Sequence, residues 1–329
     1  MTARVTKKSA ARGALACVVL AAAVVCLALF AMKSGSIALS WRELMRGLFV
    51  EYDARVAAVY DLRFPRVLIA LLSGAVLSCS GLLLQAALKN PLADPGIIGI
   101  SGGAAFAASV VTAFFPALYF EAPAFAFIGG AAAFVVIYSL SWKGGLDPVR
   151  IVLIGVAISA VFAGLTGIIG GMSSVSGVSV TVSGLSQRTW SDVRLLGVYS
   201  AVGLIPAFLL APACNLLALE DRAVRGLGVN ADALRAGVSC AAVLLASSAT
   251  AIVGVVGFLA LITPHVARAV VGGDHRLLTP FSALLGAFVL LLADTVGRLI
   301  FAPYELSAAV VMSVLGGPFF IALLRKKRM

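Results

Sequence analysis

Charged side chains are scarce in this chain of 329 residues. Asp, Glu, Lys and Arg make up 12% of it, whereas hydrophobic residues make up 61% and the mean hydropathy is +1.09. A soluble domain is about one-quarter charged and about half apolar, so a water-soluble core could not hide this much apolar surface. The composition excludes a soluble enzyme, a disordered tail and a nucleic-acid-binding domain.

Motifs of catalytic and metal-binding proteins are also missing. No lysine follows a glycine, so the chain has no Walker A phosphate-binding loop. His265 and His275 belong to no HExxH motif, and the five cysteines form no CxxC pair. No paired nucleophile and base lies within an apolar run. We therefore expect no catalytic residue, no metal site and no cofactor bound by this chain.

Long apolar runs, by contrast, recur along the whole sequence. They are continuous and do not alternate, so they predict membrane-spanning helices that satisfy their own backbone polar groups in the bilayer. The ten predicted spans are 13–33, 62–84, 97–115, 123–142, 151–170, 194–213, 236–256, 258–271, 278–300 and 308–324. The eighth is short for a hydrocarbon layer of about 30 Å, and we expect it to be tilted or broken at Pro264. The predicted fold is an all-α polytopic membrane protein.

Positive charge predicts the orientation of these spans. The net charge is +11, and most Lys and Arg residues fall on one side of the membrane if the N-terminus is cytoplasmic. This arrangement predicts a cytoplasmic N-terminal tail (1–12), a cytoplasmic loop (214–235) and a basic cytoplasmic C-terminus (325–329). The first apolar run exceeds the core of a secretory signal, so we expect it to be retained. No connection is long enough for a nucleotide-binding domain, so 1–329 is predicted to be one transmembrane domain.

Two arginines, Arg63 and Arg66, begin the second span at its predicted outer end. Snorkelling from a helix end would explain them. Alternatively, they form an exposed cationic patch for an acidic partner, because a guanidinium group can bind a carboxylate with two hydrogen bonds. The residues alone leave both interpretations open.

A polar and proline-containing motif, NPLADP, follows the second span. Its helix-breaking members are Asn90, Pro91, Asp94 and Pro95. The segment GISGGA (99–104) then begins the third span. Its small residues predict either tight helix packing or a helix beside a pore.

The fifth span carries small residues at intervals of four. They are Gly155, Ser159, Ala163 and Gly167. Such a stripe lets a second backbone approach closely. It predicts helix packing, a lining for a translocation pathway, or both at a dimer seam.

The loop between the sixth and seventh spans contains a short charged helical pattern closed by glycine (217–229). It is either a solvated loop helix or a docking helix for a cytoplasmic subunit. The residues assigned to this candidate surface are Leu219, Glu220, Asp221, Arg222, Ala223, Gly226, Leu227 and Gly228.

The last third of the chain carries Pro264, His265 and Asp294, to which we assign structural roles. Asp294 is the only acid well inside a predicted span. Arg298 follows it by four residues, so the two side chains can pair on one helix face. This pair would reduce the cost of burying a carboxylate in the membrane.

Taken in order, these segments resemble the FecCD-type permeases of ABC importers for iron–siderophore, haem and cobalamin, which have the type II importer fold. The resemblance runs from about Arg63 to Phe320 and rests on RFPR, NPLADP, GISGGA, the loop ending in LGV, PHVAR, GGDHR and AD…R. It implies ten helices per subunit, a dimeric permease and a bacterial cytoplasmic (inner) membrane location. It also implies two cytoplasmic ATPase subunits, which hold ATP and Mg, and an extracytoplasmic substrate-binding protein.

The resemblance also implies roles for particular residues. Arg63, Arg66 and Arg298 fall where the family's arginines meet glutamates of the binding protein. Residues 217–229 fall on the family's coupling loop to the ATPase, and the fifth span falls on its central pathway. An antiparallel relation between spans 2–5 and 7–10 is also expected.

These expectations describe a transport subunit rather than an enzyme. It would receive substrate from the binding protein and translocate it by alternating access. Ferric siderophore is the first substrate expected, with haem and cobalamin as alternatives. Its partners would be a second permease subunit (the same or a sister chain), the two ATPases, the binding protein and the lipid bilayer, but not nucleic acid. An ion-gradient-driven carrier is a remote alternative, since one buried acid gives little support for an ion path.

Overall fold

The computed structural model describes residues 2–34, 59–141, 148–175, 184–300 and 304–326. These ranges form helices and connecting turns, with no strand among them. The helices are α1 (Thr2–Lys33), α2 (Phe64–Ala87), α3 (Pro95–Ile98), α4 (Ile100–Phe114), α5 (Ala122–Ser141), α6 (Pro148–Val175), α7 (Trp190–Leu209), α8 (Ala211–Leu217), α9 (Asp221–Gly226), α10 (Ala231–Val253), α11 (Leu259–Val271), α12 (His275–Ile300) and α13 (Ala308–Lys326). A π-helical turn (Val59–Arg63) precedes α2, and a 3₁₀ segment (Pro116–Glu121) joins α4 to α5.

Ten of these helices are apolar and lie at the ten predicted spans. Seven are long and apolar enough to cross a membrane, namely α1, α2, α5, α6, α7, α10 and α12. The other three, α4, α11 and α13, are shorter apolar helices. The all-α membrane fold with about ten spanning helices is therefore confirmed.

Two segments predicted to lie outside the membrane contain helical residues. Helix α1 begins at Thr2, so the predicted tail is part of a helix that continues into the first span. The predicted loop 214–235 contains the end of α8, all of α9 and the start of α10. The basic residues of the first twelve positions do not interrupt α1, because Lys and Arg are good helix formers.

Of the two alternatives expected for the eighth span, a break at Pro264 is wrong, because α11 runs through this residue. A proline lacks the N–H that would bond the carbonyl four residues earlier, here that of Ala260. The side-chain amide of Gln85 on α2 lies 3.4 Å from this carbonyl oxygen and donates to it instead. Gly81 permits the approach, since a Cβ there would lie 2.0 Å from the same oxygen.

Helix α2 lies at the centre of the bundle and contacts α7, α10, α11 and α12. Its closest crossing is with α12, where Gly74 faces Gly286. A Cβ at Gly74 would lie 2.3 Å from the Gly286 carbonyl oxygen, and the reverse distance would be 2.2 Å. Only glycine fits at this crossing, so the two backbones are in direct contact.

A second close crossing joins α4 to α5. A Cβ at Gly103 would lie 2.6 Å from the Gly129 carbonyl oxygen, and Gly129 faces Gly103 at a similar distance. Gly103 belongs to the GISGGA segment. At this residue, tight helix packing accounts for the small side chain.

Candidate functional site

Arg66 reaches from the first turn of α2 to two acids near the same end of the bundle. Its Nε lies 3.1 Å from both carboxylate oxygens of Asp294, and its Nη2 donates to Oδ1 at 2.9 Å. Its Nη1 donates to Glu305 Oε2 at 2.7 Å. The Asp294 side chain is 1% exposed and that of Glu305 is 47% exposed. The network therefore extends from a buried ion pair to the surface.

Glu305 lies just before α13, and no motif in the sequence predicts a role for it. Its Oε2 also accepts a hydrogen bond of 3.2 Å from the Ser186 hydroxyl. Partial burial favours a higher pKa for Glu305, but the hydrogen bond and charge of Arg66 outweigh burial and lower the pKa. Glu305 is thus an ionised group that connects α2 to the segments before α7 and α13.

Arg298 lies one helical turn beyond Asp294, and its Nε is 3.4 Å from Asp294 Oδ2. The pairing expected from their spacing is confirmed. Arg298 Nη2 also donates to the carbonyl of Ala31 at 3.1 Å. Arg63 Nη1 lies 3.3 Å from the carbonyl oxygens of both Met32 and Lys33. The two arginines thus bind the last carbonyls of α1, where a helix lacks internal donors and favours positive charge.

Of the two interpretations left open for Arg63 and Arg66, the exposed cationic patch is wrong, and Arg298 is buried as well. Arg63 and Arg66 are each 9% exposed, and the Arg298 side chain is 8% exposed. Arg66 packs beside the buried acid of α12, and the other two point at the end of α1. A buried guanidinium group needs such partners because its desolvation is costly. Their role in docking a partner remains a prediction.

A second cluster of charges lies around Asp221, at the start of α9. Lys89 Nζ donates to Asp221 Oδ1 at 2.8 Å and to the Leu219 carbonyl at 2.6 Å. Arg235 Nη2 approaches the same carboxylate oxygen at 3.1 Å, while its Nε donates to the Ala87 carbonyl at 2.9 Å. The hydrogen bond from Lys89, aided by Arg235, lowers the pKa of Asp221. Lys89 and Arg235 were not assigned to this site from the sequence.

The rest of the candidate coupling surface points away from the bundle. Val224 is fully buried and anchors α9. Large apolar side chains remain exposed on either side of α9, with Leu219 at 44% and Leu227 at 62%. The smaller or charged members are exposed as well: Glu220, Arg222, Ala223, Gly226 and Gly228. Such a helix can present both apolar and charged groups to another subunit.

The NPLADP motif forms the turn between α2 and α3. The Asn90 side-chain oxygen accepts from the Leu92 N–H at 3.0 Å, and Pro91 follows within the turn. Asp94 Oδ1 accepts from the N–H groups of Gly96 and Ile97 at 2.7 and 3.0 Å, so it caps α3, whose first residue is Pro95. Burial raises the pKa of Asp94 to about 6 despite these hydrogen bonds.

The two histidines have separate surroundings. The His265 ring meets Phe319 of α13 edge-on, with ring centroids 6.2 Å apart. His275 Nδ1 lies 2.8 Å from the side-chain oxygen of Asn215. Within the described residues, no three His, Cys, Asp or Glu side chains come together as a metal site would require.

The stripe of small residues on α6 is divided by the structure. A Cβ at Gly155 would overlap the backbone of α3, since the Ile98 carbonyl oxygen lies 2.7 Å from this Cβ position. Ser159 Oγ lies 3.5 Å from the Gly96 carbonyl oxygen. Ala163 and Gly167 are exposed instead, and no described atom comes within 4 Å of a Cβ at Gly167. The first half of the stripe packs within the chain, and the second half faces outward.

The sequence model of the FecCD transport family matches residues 20–326. The chain belongs to the FecCD transport family. It is 40% identical over 301 residues to the probable heme-iron transport system permease protein IsdF of Staphylococcus aureus strain MSSA476, covering 92% of each chain. The IsdF protein of strain MW2 matches equally well.

Solved structures give the same fold for this FecCD-family chain. A metal-chelate type ABC transporter in an inward-facing conformation matches with a TM-score of 0.78 and 25% identity, covering 95% of this chain and 99% of the other. PsaBC from Streptococcus pneumoniae, in complex with Fab, matches with a TM-score of 0.59 and 16% identity, covering 86% and 95%. The protein is a multi-pass membrane permease of the ABC importer class, as the resemblance implied.

Proposed function

We propose that this FecCD-family permease imports haem iron. The extended similarity to IsdF carries the proposal, because 40% identity spans 92% of both chains and IsdF is named as a probable permease for heme-iron transport. It favours the haem alternative over the ferric siderophore expected first from the sequence.

In this proposal the chain translocates substrate and hydrolyses no ATP. Two cytoplasmic subunits bind ATP and Mg and drive alternating access, while an extracytoplasmic binding protein delivers the ligand. The exposed side of α9 and the flanking Leu219 and Leu227 contact an ATPase subunit. Both termini lie in the cytoplasm of a bacterium, and the protein resides in its cytoplasmic membrane.

The outward half of the α6 stripe supports a pathway between two permease subunits. Ala163 and Gly167 leave space that the described residues of the chain do not fill. Gly155 and Ser159 contribute indirectly, by fixing α6 against α3. A second permease subunit, identical or a sister chain, would complete this face.

A binding protein that docks at the arginines would meet side chains that already have partners within the chain. A glutamate of the binding protein would have to approach Arg66 beside Glu305, the exposed acid of that network. We predict that Arg63→Glu weakens docking, because it places a negative charge at this end of the bundle, and that added salt reduces the loss. Binding measured at low and high salt tests this, and an unchanged, salt-independent affinity contradicts it.

Transport in proteoliposomes tests the proposed substrate. The permease is reconstituted with its ATPase and binding protein, and uptake of haem, a ferric siderophore and cobalamin is compared in one preparation. We expect ATP-dependent uptake of haem, lost with an ATPase variant that binds but does not hydrolyse ATP. Uptake of siderophore without haem would overturn the substrate and leave the permease class intact.

A further inference from the structure

We propose that Asp221, Lys89 and Arg235 form a clamp that positions α9 and transmits its displacement to α2 and α10. We call these three residues the Asp221 clamp. The inference deepens the proposed coupling role of the loop, and rests on it. It adds two positioning residues, Lys89 and Arg235, that lie outside the coupling surface itself.

Apart from the clamp, α9 has few contacts within the described residues that fix its position. It has six residues, and Val224 is its one fully buried side chain. A helix this short is not stable by itself. Its N-terminal acid, however, lies between two cations from different parts of the chain, with Lys89 Nζ and Arg235 Nη2 at 2.8 and 3.1 Å from Asp221 Oδ1.

The two cations of the clamp lie at the ends of two other helices. Lys89 follows α2 by two residues, and Arg235 lies in the second turn of α10. Arg235 also donates to the carbonyl of Ala87, the last residue of α2. The clamp therefore ties α9 to the adjoining ends of two long helices that pack on each other through the bundle.

Exposure separates the position of α9 from the stability of the fold. The side chains of Lys89 and Asp221 are 36% and 38% exposed, whereas that of Arg235 is 15% exposed. An ion pair as exposed as Lys89–Asp221 contributes little to the free energy of unfolding. A shift of α9 nevertheless moves three charged groups together, so loss of the clamp affects transmission more than folding.

The experiment uses the complete importer in proteoliposomes, with Asp221→Asn, Lys89→Gln and Arg235→Gln made separately. We expect each variant to insert and to co-purify with the ATPase subunits, and we expect Lys89→Gln and Asp221→Asn to keep the thermal midpoint of the unmodified importer. The ATP hydrolysed per ligand transported should rise by about three- to tenfold. Lys89→Arg, which keeps the charge, should restore most of the coupling.

Arg12→Gln is the charge-neutralising control, because Arg12 is exposed, lies outside the coupling surface and the clamp, and has no ion pair with the described residues. It should couple as the unmodified importer does. The double variant Lys89→Gln with Asp221→Asn should lose less than the sum of the two single losses, since both changes break the Lys89–Asp221 pair. Additive losses would overturn the clamp, and Lys89→Gln and Arg235→Gln retain the test if Asp221→Asn fails to insert.

A separate variant distinguishes failure of the clamp from failure of the coupling surface. Leu227→Asp places a charge on an exposed apolar residue without touching the clamp. If Leu227→Asp uncouples the importer while the clamp variants behave as wild type, the clamp is wrong and the coupling surface stands. If Leu227→Asp and the clamp variants all couple normally, both proposals fail.

Discussion

Helices α2 and α6 are both apolar, long and glycine-bearing, yet they occupy opposite environments. Of the residues in the most apolar 18-residue stretch of each helix, 78% are buried in α2 and 11% in α6. Backbone atoms lie within 2.3 Å of a Cβ built at Gly74 or Gly81 of α2, whereas no atom of the described residues lies within 4 Å of a Cβ built at Gly164 or Gly167 of α6. Glycine in α2 sets the distance between helices, and these glycines of α6 leave a surface open. Similar sequences thus serve the fold in one helix and an outward face in the other.

The largest effect should come from filling the α2–α12 crossing. Gly286→Leu places a side chain against the Gly74 carbonyl, and overpacking of this kind costs about 1–3 kcal/mol or more. Because backbone cannot move aside locally, we expect loss of folded, detergent-extractable protein. Gly164→Leu on α6 is the control and should give normal yield and thermal midpoint. Equal yields for the two variants would contradict the comparison.

The next effect concerns the acid that α12 presents to α2. Asp294→Asn leaves Arg66 and Arg298 without their buried countercharge, and breaking such a pair costs about 3–5 kcal/mol. Glu305→Gln, at the exposed end of the same network, should cost about 1 kcal/mol or less. Unfolding in detergent micelles measures both. Equal losses would show that burial does not set the strength of this network.

The α6 stripe should itself divide into two responses. Gly155→Leu forces α6 away from Ile98 on α3, so we expect a lower thermal midpoint together with reduced uptake. Gly167→Leu enters open space, so we expect a normally folded subunit whose uptake is blocked or whose permease dimer dissociates. Midpoint, dimer content and uptake are measured together. Wild-type uptake in the Gly167 variant would place the pathway elsewhere.

The smallest effect is a pH dependence at the α3 cap, where α3 meets α6. Burial raises the pKa of Asp94 from 3.8 to about 6, so the folded state binds this proton more tightly than the unfolded state. The contribution to stability is present at low pH and falls as pH rises from about 4 to about 6. Asp94→Asn keeps a capping oxygen and should remove this part of the dependence. Parallel pH profiles for the two proteins would contradict the assignment.

Features that depend on residues close together in the chain could be predicted from the sequence. The ten apolar helices follow from hydropathy alone, and the Asp294–Arg298 pair follows from a spacing of four residues. The bond from Arg66 to Asp294 spans 228 residues, and no sequence rule identifies it. The error at Pro264 has the same origin, because Gln85 lies far along the chain from the carbonyl it satisfies.

The candidate sites show the same limit. The charged helix of residues 221–226 and the small-residue stripe could be found by composition and periodicity. Their contacts could not, since Lys89 and Arg235 reach Asp221 only through the packing of α2 on α10. The arginines at the outer end were recognised by motif, but their burial depends on where α1 ends beside them.

By itself the sequence determined the membrane class, the number of apolar helices, and the order of motifs that places the chain in its family. These properties depend on the transfer of local segments into the bilayer and on spacing along one helix. Only the tertiary structure decided which glycines touch backbone, which acids Arg66 binds and which half of α6 remains open. Those outcomes depend on contacts between residues far apart in the chain, which are set by the packing of the complete bundle.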